Sequence, residues 1–255
     1  TALHQPENRL TYQIGNLKKL SNLVENTVVC DFRVQDVEFG GQGAPLVPIG
    51  DELLFSDYDF CLNLGGFANV STKTNSTRIA YDICPVNIVL NRYVSKLGYD
   101  YDDSGKIASI GKMNPELLSE LNGLDFYNLN PPKSLGLEWV SDIVFPIIDN
   151  YNLSVEDILR TFIEHCAFQI SREIGKKEDA FILMTGGGVY NSFLIERLKT
   201  FTNNKIVIPD KNLIEFKEAL IFGLLGVLKL RGEINCLRSV TGAKKDHSSG
   251  QIYYP

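Results

Sequence analysis

The sequence predicts a mixed α/β protein in which a meander of short antiparallel strands leads into alternating strands and helices. Three short apolar or alternating runs separated by tight turns predict the meander strands, at 58–64, 68–72 and 78–84. Two later apolar runs, at 180–184 and 205–208, are each followed by residues with helical spacing. This alternation favours parallel pairing of the later strands.

The clearest predicted helix covers residues 155–174, with Ser154 as N-cap, Asp157 three residues on and an apolar face of helical spacing. A strand is also predicted at 27–33, before the meander. The remaining predicted helices are 87–97, 115–121, 134–144, 192–201 and 214–231. A hairpin meander that feeds a parallel sheet is the layout of the ribonuclease-H-like fold of actin, hexokinase and sugar kinases.

Composition argues against two classes of partner. The chain has 255 residues, a net charge of −6 and no run of lysine or arginine, which is unlike a general nucleic-acid binder. Its longest apolar run, 219–228, falls well short of the roughly 20 residues that a membrane span requires. We therefore expect neither nucleic acid nor membrane as a partner.

The cysteines and histidines are dispersed along the chain. The five cysteines form no C-x-x-C pair and lie in apolar runs, which predicts reduced core thiols in a cytoplasmic protein. The three histidines have no metal-ligand spacing, so the sequence predicts no protein metal ligand.

Three glycine-rich turns, at 40–43, 65–66 and 186–188, each lie beside a predicted strand. Backbone N–H groups without neighbouring Cβ atoms can approach phosphates or a sugar closely. In the second turn, Gly65 and Gly66 with Asn63 and Asn69 are candidates for holding nucleotide phosphates. The alternative is a tight turn that needs positive φ, and the asparagines on both sides favour the functional interpretation.

The third turn, Gly186–Gly188, stands between a predicted strand and a predicted helix. In that context the glycines let an adenosine approach the backbone, and a helix N-terminus favours anionic groups. A triple glycine without that context would be weak support for nucleotide binding.

Asp82 ends a predicted strand, before a turn fixed by Pro85, and a carboxylate there can face a cleft as a general base. A turn or N-cap aspartate is the more common outcome for such a motif. Lys133, in a loop rich in proline, is a candidate for phosphate or substrate contact, although an exposed loop lysine is the commoner outcome.

Arg33 and Glu218 are candidates for substrate contact. The planar fork of Arg33 suits a ligand carboxylate or phosphate. The alternative is a surface pair with Asp31 or Asp36, of little energetic weight. Glu218 opens a predicted apolar helix, where spacing alone favours a first-turn glutamate that interacts with the helix dipole.

Taken together, the motifs resemble the anhydro-N-acetylmuramic acid kinase family, of the actin and hexokinase superfamily, along essentially the whole chain. The most specific part is Asp-Phe-Arg at 31–33 followed by Gly-Gly-Gln-Gly-Ala-Pro-Leu-Val-Pro at 40–48. The other matching segments, in chain order, are 12–15, 62–70, 81–87, 131–136, 185–191, 218–219 and 240–243.

The resemblance implies a kinase of peptidoglycan recycling. Water adds to the anomeric carbon of 1,6-anhydro-N-acetylmuramic acid and opens its ring, and ATP with Mg²⁺ phosphorylates the freed O6. Asp82 aligns with the general base and Glu218 with a sugar-contacting glutamate of the family. Arg33 is the expected partner for the acidic substrate group. The phosphate loop and the adenosine turn would use Gly65, Gly66, Asn69, Gly186, Gly187 and Gly188.

The chain departs from the family pattern twice. Residues 83–86 replace a glycine-rich run after Asp82, and no segment matches the family's N-terminal Gly-Thr-Ser-x-Asp-Gly phosphate loop. We therefore expect an incomplete first ribonuclease-H-like domain at 1–57, a second domain at 58–238, a tail at 239–255 that returns to the first, and a chain inactive alone.

Two alternatives stay open at this point. One is a kinase of another amino sugar, which would phosphorylate a plain hexosamine without opening a ring. The other is an inactive module that binds nucleotide or sugar, which an absent phosphate loop favours. Members of the family often form dimers, so the resemblance also implies a homodimer, although the sequence shows no interface pattern.

Overall fold

The computed structural model describes residues 3–255 of the chain. The strands in that range are β1 (Leu3–Gln5), β2 (Leu10–Tyr12), β3 (Val28–Cys30), β4 (Phe60–Leu64), β5 (Phe67–Thr74), β6 (Thr77–Pro85), β7 (Phe181–Thr185), β8 (Lys205–Val207) and β9 (Gln251–Tyr253). The α-helices are α1 (Lys19–Val24), α2 (Val34–Glu38), α3 (Pro48–Leu54), α4 (Asn87–Val94), α5 (Lys106–Ile110), α6 (Pro115–Asn122), α7 (Leu137–Trp139), α8 (Phe145–Asn150), α9 (Val155–Ile174), α10 (Ser192–Lys199), α11 (Lys211–Leu230) and α12 (Arg238–Thr241).

The chain divides into two compact units. Unit 1 comprises the described residues up to Ser56, with Lys73–Ala80 and Phe216–Pro255. Unit 2 comprises Asp57–Thr72 and Tyr81–Glu215. Residues 216–238 thus group with unit 1, whereas the sequence prediction assigned them to the second domain.

Unit 2 is built on a five-stranded sheet of order β6-β5-β4-β7-β8. Strand β4 pairs antiparallel with β5 and parallel with β7, and β7 pairs parallel with β8. Only antiparallel neighbours can have the two-residue connection, Asn75-Ser76, that joins β5 to β6. The far end of this hairpin, residues 73–80, is counted with unit 1. This strand order and these directions confirm the predicted ribonuclease-H-like sheet.

Helix α9 forms the centre of the unit 2 core. It has the predicted bounds, because the Ser154 hydroxyl accepts a hydrogen bond from the Asp157 N–H at 3.2 Å and caps the first turn. Its fully buried apolar side chains are Leu159, Phe162, Ile163, Cys166, Ala167, Ile170 and Ile174.

In unit 1, β3 pairs antiparallel with β9. An apolar cluster fills this unit, formed by Phe32, Leu46, Ile49, Ile221, Leu225, Leu228 and Cys236. Helices α3 and α11 approach closely at Gly50, where a Cβ atom would lie 2.5 Å from the side chain of Ile221. The tight packing explains why only glycine fits at that position.

Three predicted elements differ in the structure. The strand predicted at 27–33 ends at Cys30, because Asp31 adopts a φ of +61° and turns the chain into α2. The helix predicted at 134–144 begins at Leu137, passes through a π-helical segment, Val140–Val144, and continues into α8. The last long helix begins at Lys211, three residues earlier than predicted.

All five cysteines are free thiols; four are buried and Cys30 is half-buried. The prediction of reduced core thiols holds for the four buried residues. Within residues 3–255, no helix combines the length and the apolar character needed to cross a bilayer.

Candidate functional site

The turn between β4 and β5 contains Gly65 and Gly66, the predicted phosphate loop. Asn63 and Asn69 lie directly opposite each other across the two strands. Neither Gly65 nor Gly66 adopts a left-handed φ, and a Cβ atom on either would meet only ordinary contacts, the nearest at 3.4 and 3.8 Å. The fold therefore does not itself demand glycine here, which favours the interpretation that a ligand approaches this backbone.

The carbonyl groups of the same turn accept hydrogen bonds from N–H groups at the start of α4. The N–H groups of Val86 and Ile88 donate to the Gly66 carbonyl at 2.8 and 3.2 Å, and that of Asn87 donates to the Gly65 carbonyl at 3.3 Å. These bonds fix the turn carbonyls against the helix. The turn is consequently held through its carbonyl groups, while Gly66 remains exposed to solvent.

The glycines at 186–188 follow β7 and meet the end of β4. Gly186 has a φ of +85°, and its Cβ atom would lie 2.5 Å from Asn63 Oδ1. A Cβ atom on Gly188 would lie 2.7 Å from the Leu64 side chain, whereas one on Gly187 would have nothing within 4 Å. Close packing therefore requires two of these glycines, and the third, Gly187, is exposed and open.

The structure corrects one expectation about this turn. It leads into a 3₁₀ turn, Gly187–Tyr190, rather than directly into α10. The Asn191 side chain then caps α10 by accepting from the Leu194 N–H at 3.0 Å. Since this side chain already occupies an N–H group at the N-terminus of α10, the candidate nucleotide contact is the glycine turn and not the helix N-terminus.

Asp82 lies on β6, near its end, and is half-buried. Its Oδ2 atom accepts hydrogen bonds from the Leu135 N–H at 2.8 Å and from the Ser134 hydroxyl at 3.2 Å. The N–H of Asp82 donates to the Lys133 carbonyl at 3.0 Å. Burial raises the pKa of Asp82, and the two hydrogen bonds oppose that increase. A held carboxylate of raised pKa is suited to accept a proton.

The residues that replace the family's glycine-rich run are packed inside. Ile83, Cys84, Pro85 and Val86 are all buried. Their backbone is therefore covered by core side chains and is not a phosphate cradle in this chain.

Lys133 is buried, so the expectation of an exposed loop lysine is wrong. Its ammonium group lies 3.9 Å from the Glu173 carboxylate and 4.9 Å from the centre of the Phe126 ring. Burial lowers the pKa of Lys133, while the Glu173 carboxylate opposes that decrease. The side chain thus anchors the loop at 131–136 whose backbone holds Asp82.

In unit 1, Arg33 immediately precedes α2, so it is not on a strand as predicted. Its Nη1 atom donates to the Gly43 carbonyl at 2.6 Å, and its guanidinium carbon lies 5.9 Å from the Phe222 ring centre. Within residues 3–255, no ion pair joins Arg33 to Asp31 or Asp36. The alternative of a surface pair is therefore wrong, and the half-buried guanidinium retains donors for an anion.

Glu218 lies in the interior of α11 and is exposed. Since the helix begins at Lys211, the expected first-turn position of Glu218 is wrong and the helix dipole does not account for it. Burial lowers the pKa of Arg33, and the charge of Glu218 opposes that decrease. The structure thus brings these two predicted substrate contacts into one electrostatic environment.

The first glycine-rich turn does not present free N–H groups. Its Gly41 and Gly43 N–H groups donate to the Asp36 carbonyl and to Asp36 Oδ2, at 2.9 and 2.7 Å. The Gln42 N–H donates to the Thr241 carbonyl at 2.8 Å. The expectation that these N–H groups approach a phosphate or a sugar is wrong, because the protein's own acceptors already occupy them.

The structure thus brings the turns at 65–66 and 186–188 together at the end of β4. Sequence reasoning singled out the loop at 131–136 for its lysine and missed Ser134 and Leu135, which hold Asp82. The Ser134 side chain could have been recognised in the sequence as a hydrogen-bond donor. The Leu135 contact uses a backbone N–H, which nearly every residue has, so the sequence does not indicate it. The fold and these groups define a ribonuclease-H-like protein of the class that includes the sugar kinases.

Comparison with known proteins gives the family. The family model for anhydro-N-acetylmuramic acid kinase matches residues 1–255. Proteins with that name from Pseudomonas syringae pv. tomato and Sulfurimonas denitrificans are each 34% identical, over 99% of this chain and 73% of their own length. The one from Vibrio cholerae is 32% identical over the whole chain and 73% of its length. The chain belongs to the anhydro-N-acetylmuramic acid kinase family.

Among solved structures, the chain is similar to the activator of 2-hydroxyisocaproyl-CoA dehydratase from Clostridium difficile with bound ADPNP. The two are 17% identical with a TM-score of 0.42, over 69% of this chain and 62% of that one. A TM-score of this size carries no functional argument, so the sheet topology and the family match carry the assignment.

Proposed function

We propose that this protein is an ATP-dependent kinase that opens 1,6-anhydro-N-acetylmuramic acid by hydrolysis and phosphorylates its O6. The products are N-acetylmuramic acid 6-phosphate and ADP, in the cytoplasmic recycling of peptidoglycan. The observation that carries the proposal is the half-buried Asp82 carboxylate, held through one oxygen, in a chain that matches the family along its whole length.

Asp82 is the general base in this proposal. Both hydrogen bonds from the loop reach Oδ2, so we assign Oδ1 to the water that attacks the anomeric carbon. The carboxylate takes a proton from that water as the new C–O bond forms and the 1,6-anhydro C–O bond breaks. Its negative charge also stabilises the oxocarbenium-like sugar.

The glycine turns of unit 2 fit a nucleotide. Added Cβ atoms at Gly66 and Gly187 would project into uncrowded space, which is where a ligand can approach the backbone. We assign the phosphates to Gly65, Gly66 and Asn69, and the adenosine to the turn at 186–188. When bound, ATP supplies the phosphoryl group and Mg²⁺ neutralises its phosphate charge.

We assign Arg33 to the carboxylate of the amino sugar, since a guanidinium fork matches a carboxylate with two hydrogen bonds. Glu218 is assigned to the sugar hydroxyls, for which an exposed carboxylate is an acceptor. A homodimer stays a prediction, which the molar mass in solution would test.

The test measures ADP release by the protein, given 1,6-anhydro-N-acetylmuramic acid, Mg²⁺ and ATP. Asp82→Asn should lower turnover about 1,000-fold, since a general base contributes roughly 10²–10⁴. The matched control is Asp125→Asn, an exposed aspartate of the same unit, which should leave turnover unchanged.

Each contrary result has a meaning. Full turnover by Asp82→Asn would remove the assigned base. Phosphorylation of a plain hexosamine at the same rate would favour a kinase of another amino sugar. Nucleotide binding without any turnover would favour a binding module.

A further inference from the structure

A second cluster of reactive side chains lies in unit 1 and has no part in the proposed reaction. It consists of Asp36, Cys236 and His247, which are 0%, 1% and 6% exposed. One ligand atom from each, namely Oδ1, Sγ and Nε2, lies within 4.8 Å of the other two. Asp36 Oδ1 is 3.1 Å from Cys236 Sγ and 3.6 Å from His247 Nε2.

The fold builds this cluster from distant parts of the sequence. Cys236 and His247 face each other across an antiparallel bridge, in which each N–H donates to the other's carbonyl at 3.1 Å. Asp36 comes from α2, 200 residues away from Cys236. A Cβ atom on Gly41 would clash with the Asp36 carboxylate, so the glycine turn leaves room for it.

His247 is oriented as a metal ligand. Its Nδ1 atom lies 3.0 Å from the Lys245 carbonyl, which can only accept a hydrogen bond, so Nδ1 carries the proton. The Nε2 atom therefore holds a lone pair in the neutral ring. Nε2 is buried without a hydrogen-bond partner, although it points at Asp36. A ring held by a backbone carbonyl, with its other nitrogen aimed at the site, is the usual arrangement of a ligating histidine.

Asp36 is similarly prepared. Its Oδ2 atom accepts from the Gly43 N–H, and the Thr241 hydroxyl donates to Oδ1 at 2.7 Å. These outer groups fix the carboxylate so that Oδ1 faces the thiol and the imidazole. Supporting bonds of this kind orient ligands in metal sites.

The spacing fits a tetrahedral ion. Zinc bonds of about 2.0–2.3 Å to oxygen, nitrogen and sulfur place neighbouring ligand atoms roughly 3.3–3.7 Å apart. The distance of 3.6 Å from Asp36 Oδ1 to His247 Nε2 lies within that range. The distance of 3.1 Å from Oδ1 to Cys236 Sγ is slightly shorter, so these two atoms would move apart a little when the ion binds. We propose that Asp36, Cys236 and His247 bind one Zn²⁺ ion.

The ligand set selects the metal. Thiolate and imidazole ligands favour zinc over magnesium or calcium, which prefer oxygen. On binding, the Cys236 thiol loses its proton to solvent, and the S–H···Oδ1 hydrogen bond is replaced by Zn–S and Zn–O bonds. One thiolate and one carboxylate then balance the two charges of the ion in a buried site.

The ion would have a structural role. It would cross-link α2 and the turn at 40–43 to the segment at 236–247 of the same unit. Since the Gly43 carbonyl accepts from Arg33, the cross-link also supports the loop that contacts that residue. Asp82 belongs to unit 2, so the zinc site and the proposed base can be tested separately.

The test uses the full chain, produced without a histidine tag and stripped of metal with a chelator. Titration with Co²⁺ should give one equivalent of tetrahedral cobalt, seen as visible d–d bands and a near-ultraviolet thiolate-to-cobalt band, and Zn²⁺ should displace it. Cys236→Ser should abolish the thiolate band and weaken Zn²⁺ binding about 100-fold or more. The control, Cys30→Ser, changes a half-buried cysteine outside the cluster and should bind like the parent chain.

Absence of a thiolate–cobalt band in the parent chain would overturn the proposal and leave a hydrogen-bonded triad. A band that survives in Cys236→Ser, or disappears in Cys30→Ser, would overturn the ligand assignment. The Co²⁺ titration of the parent chain tests whether a thiolate–metal site exists, even if a variant fails to fold.

Discussion

Asp36 in unit 1 and Asp82 in unit 2 have different surroundings, and so do the glycine-rich turns of the two units. Asp36 is completely buried, and both of its carboxylate oxygens accept hydrogen bonds from the protein. Asp82 is half-buried and is held through Oδ2. The turn beside Asp36 uses its N–H groups internally, whereas Gly66 and Gly187 in the other unit remain exposed.

The comparison shows that a glycine-rich motif has no fixed meaning in a sequence. What matters is where its N–H groups donate and what an added Cβ atom would meet. In unit 1 the glycines accommodate the protein's own carboxylate, and in unit 2 Gly66 and Gly187 leave room for a ligand. A site is distinguished from a packed turn by this difference.

The largest expected effect compares the two aspartates. Asp36→Asn places an amide NH₂ group beside hydrogen-bond donors, because the Gly43 N–H, the Thr241 hydroxyl and the Cys236 thiol all donate to this carboxylate. We therefore expect a loss of about 3 kcal/mol in the free energy of unfolding. Asp82→Asn should cause no loss at neutral pH. A raised carboxyl pKa means that the charged form is disfavoured in the fold and that its contribution to stability falls as pH rises.

Urea unfolding of both variants at pH 7 measures this difference in stability. A chelator is present so that bound metal does not contribute and only the hydrogen bonds of the two aspartates are compared. Equal midpoints for the two variants would show that Asp36 is not the structural member of the pair.

The next effect compares two glycines. Gly41→Ala drives a methyl group into the Asp36 carboxylate and should cost about 2–3 kcal/mol of stability. Gly187→Ala has open space and should change stability by less than about 0.5 kcal/mol. It should instead raise the KM for ATP if the nucleotide approaches this backbone. A stable Gly187→Ala variant with an unchanged KM for ATP would contradict the adenosine assignment.

The smallest effect is on the pH profile of turnover. In the proposed reaction Asp82 acts as a carboxylate, so we expect activity to fall as pH drops through its raised pKa. The Ser134 hydrogen bond lowers that pKa, and Ser134→Ala should move the acid limb upward by about half a unit to one unit. Turnover near neutrality should change little. An acid limb that does not move would mean that another group controls this part of the profile.

Much of the fold could be predicted because local signals agreed with it. Ser154 caps the helix that its apolar spacing predicts, and the short meander strands are separated by readable turns. The errors arise where one residue overrides the pattern. The predicted strand continued past Cys30 to Arg33, but the left-handed φ of Asp31 ends the strand at Cys30.

The start of α11 was missed for a similar reason. The Asp210 side chain accepts from the Leu213 N–H at 3.1 Å and begins the helix before its apolar face starts. The same limit applies to sites. Asp82 and the glycine turns carry local signals, whereas the meeting of Asp36 with Cys236 and His247 depends on tertiary structure and has no counterpart in spacing.

The shorter contact to Asp82 comes from the main-chain N–H of Leu135 rather than from a side chain. Every amino acid except proline supplies that donor. A change of side chain at position 135 to any residue but proline therefore leaves this hydrogen bond to the proposed base in place. Position 135 offers protein engineers a way to alter the surface of this loop without removing the donor that holds Asp82.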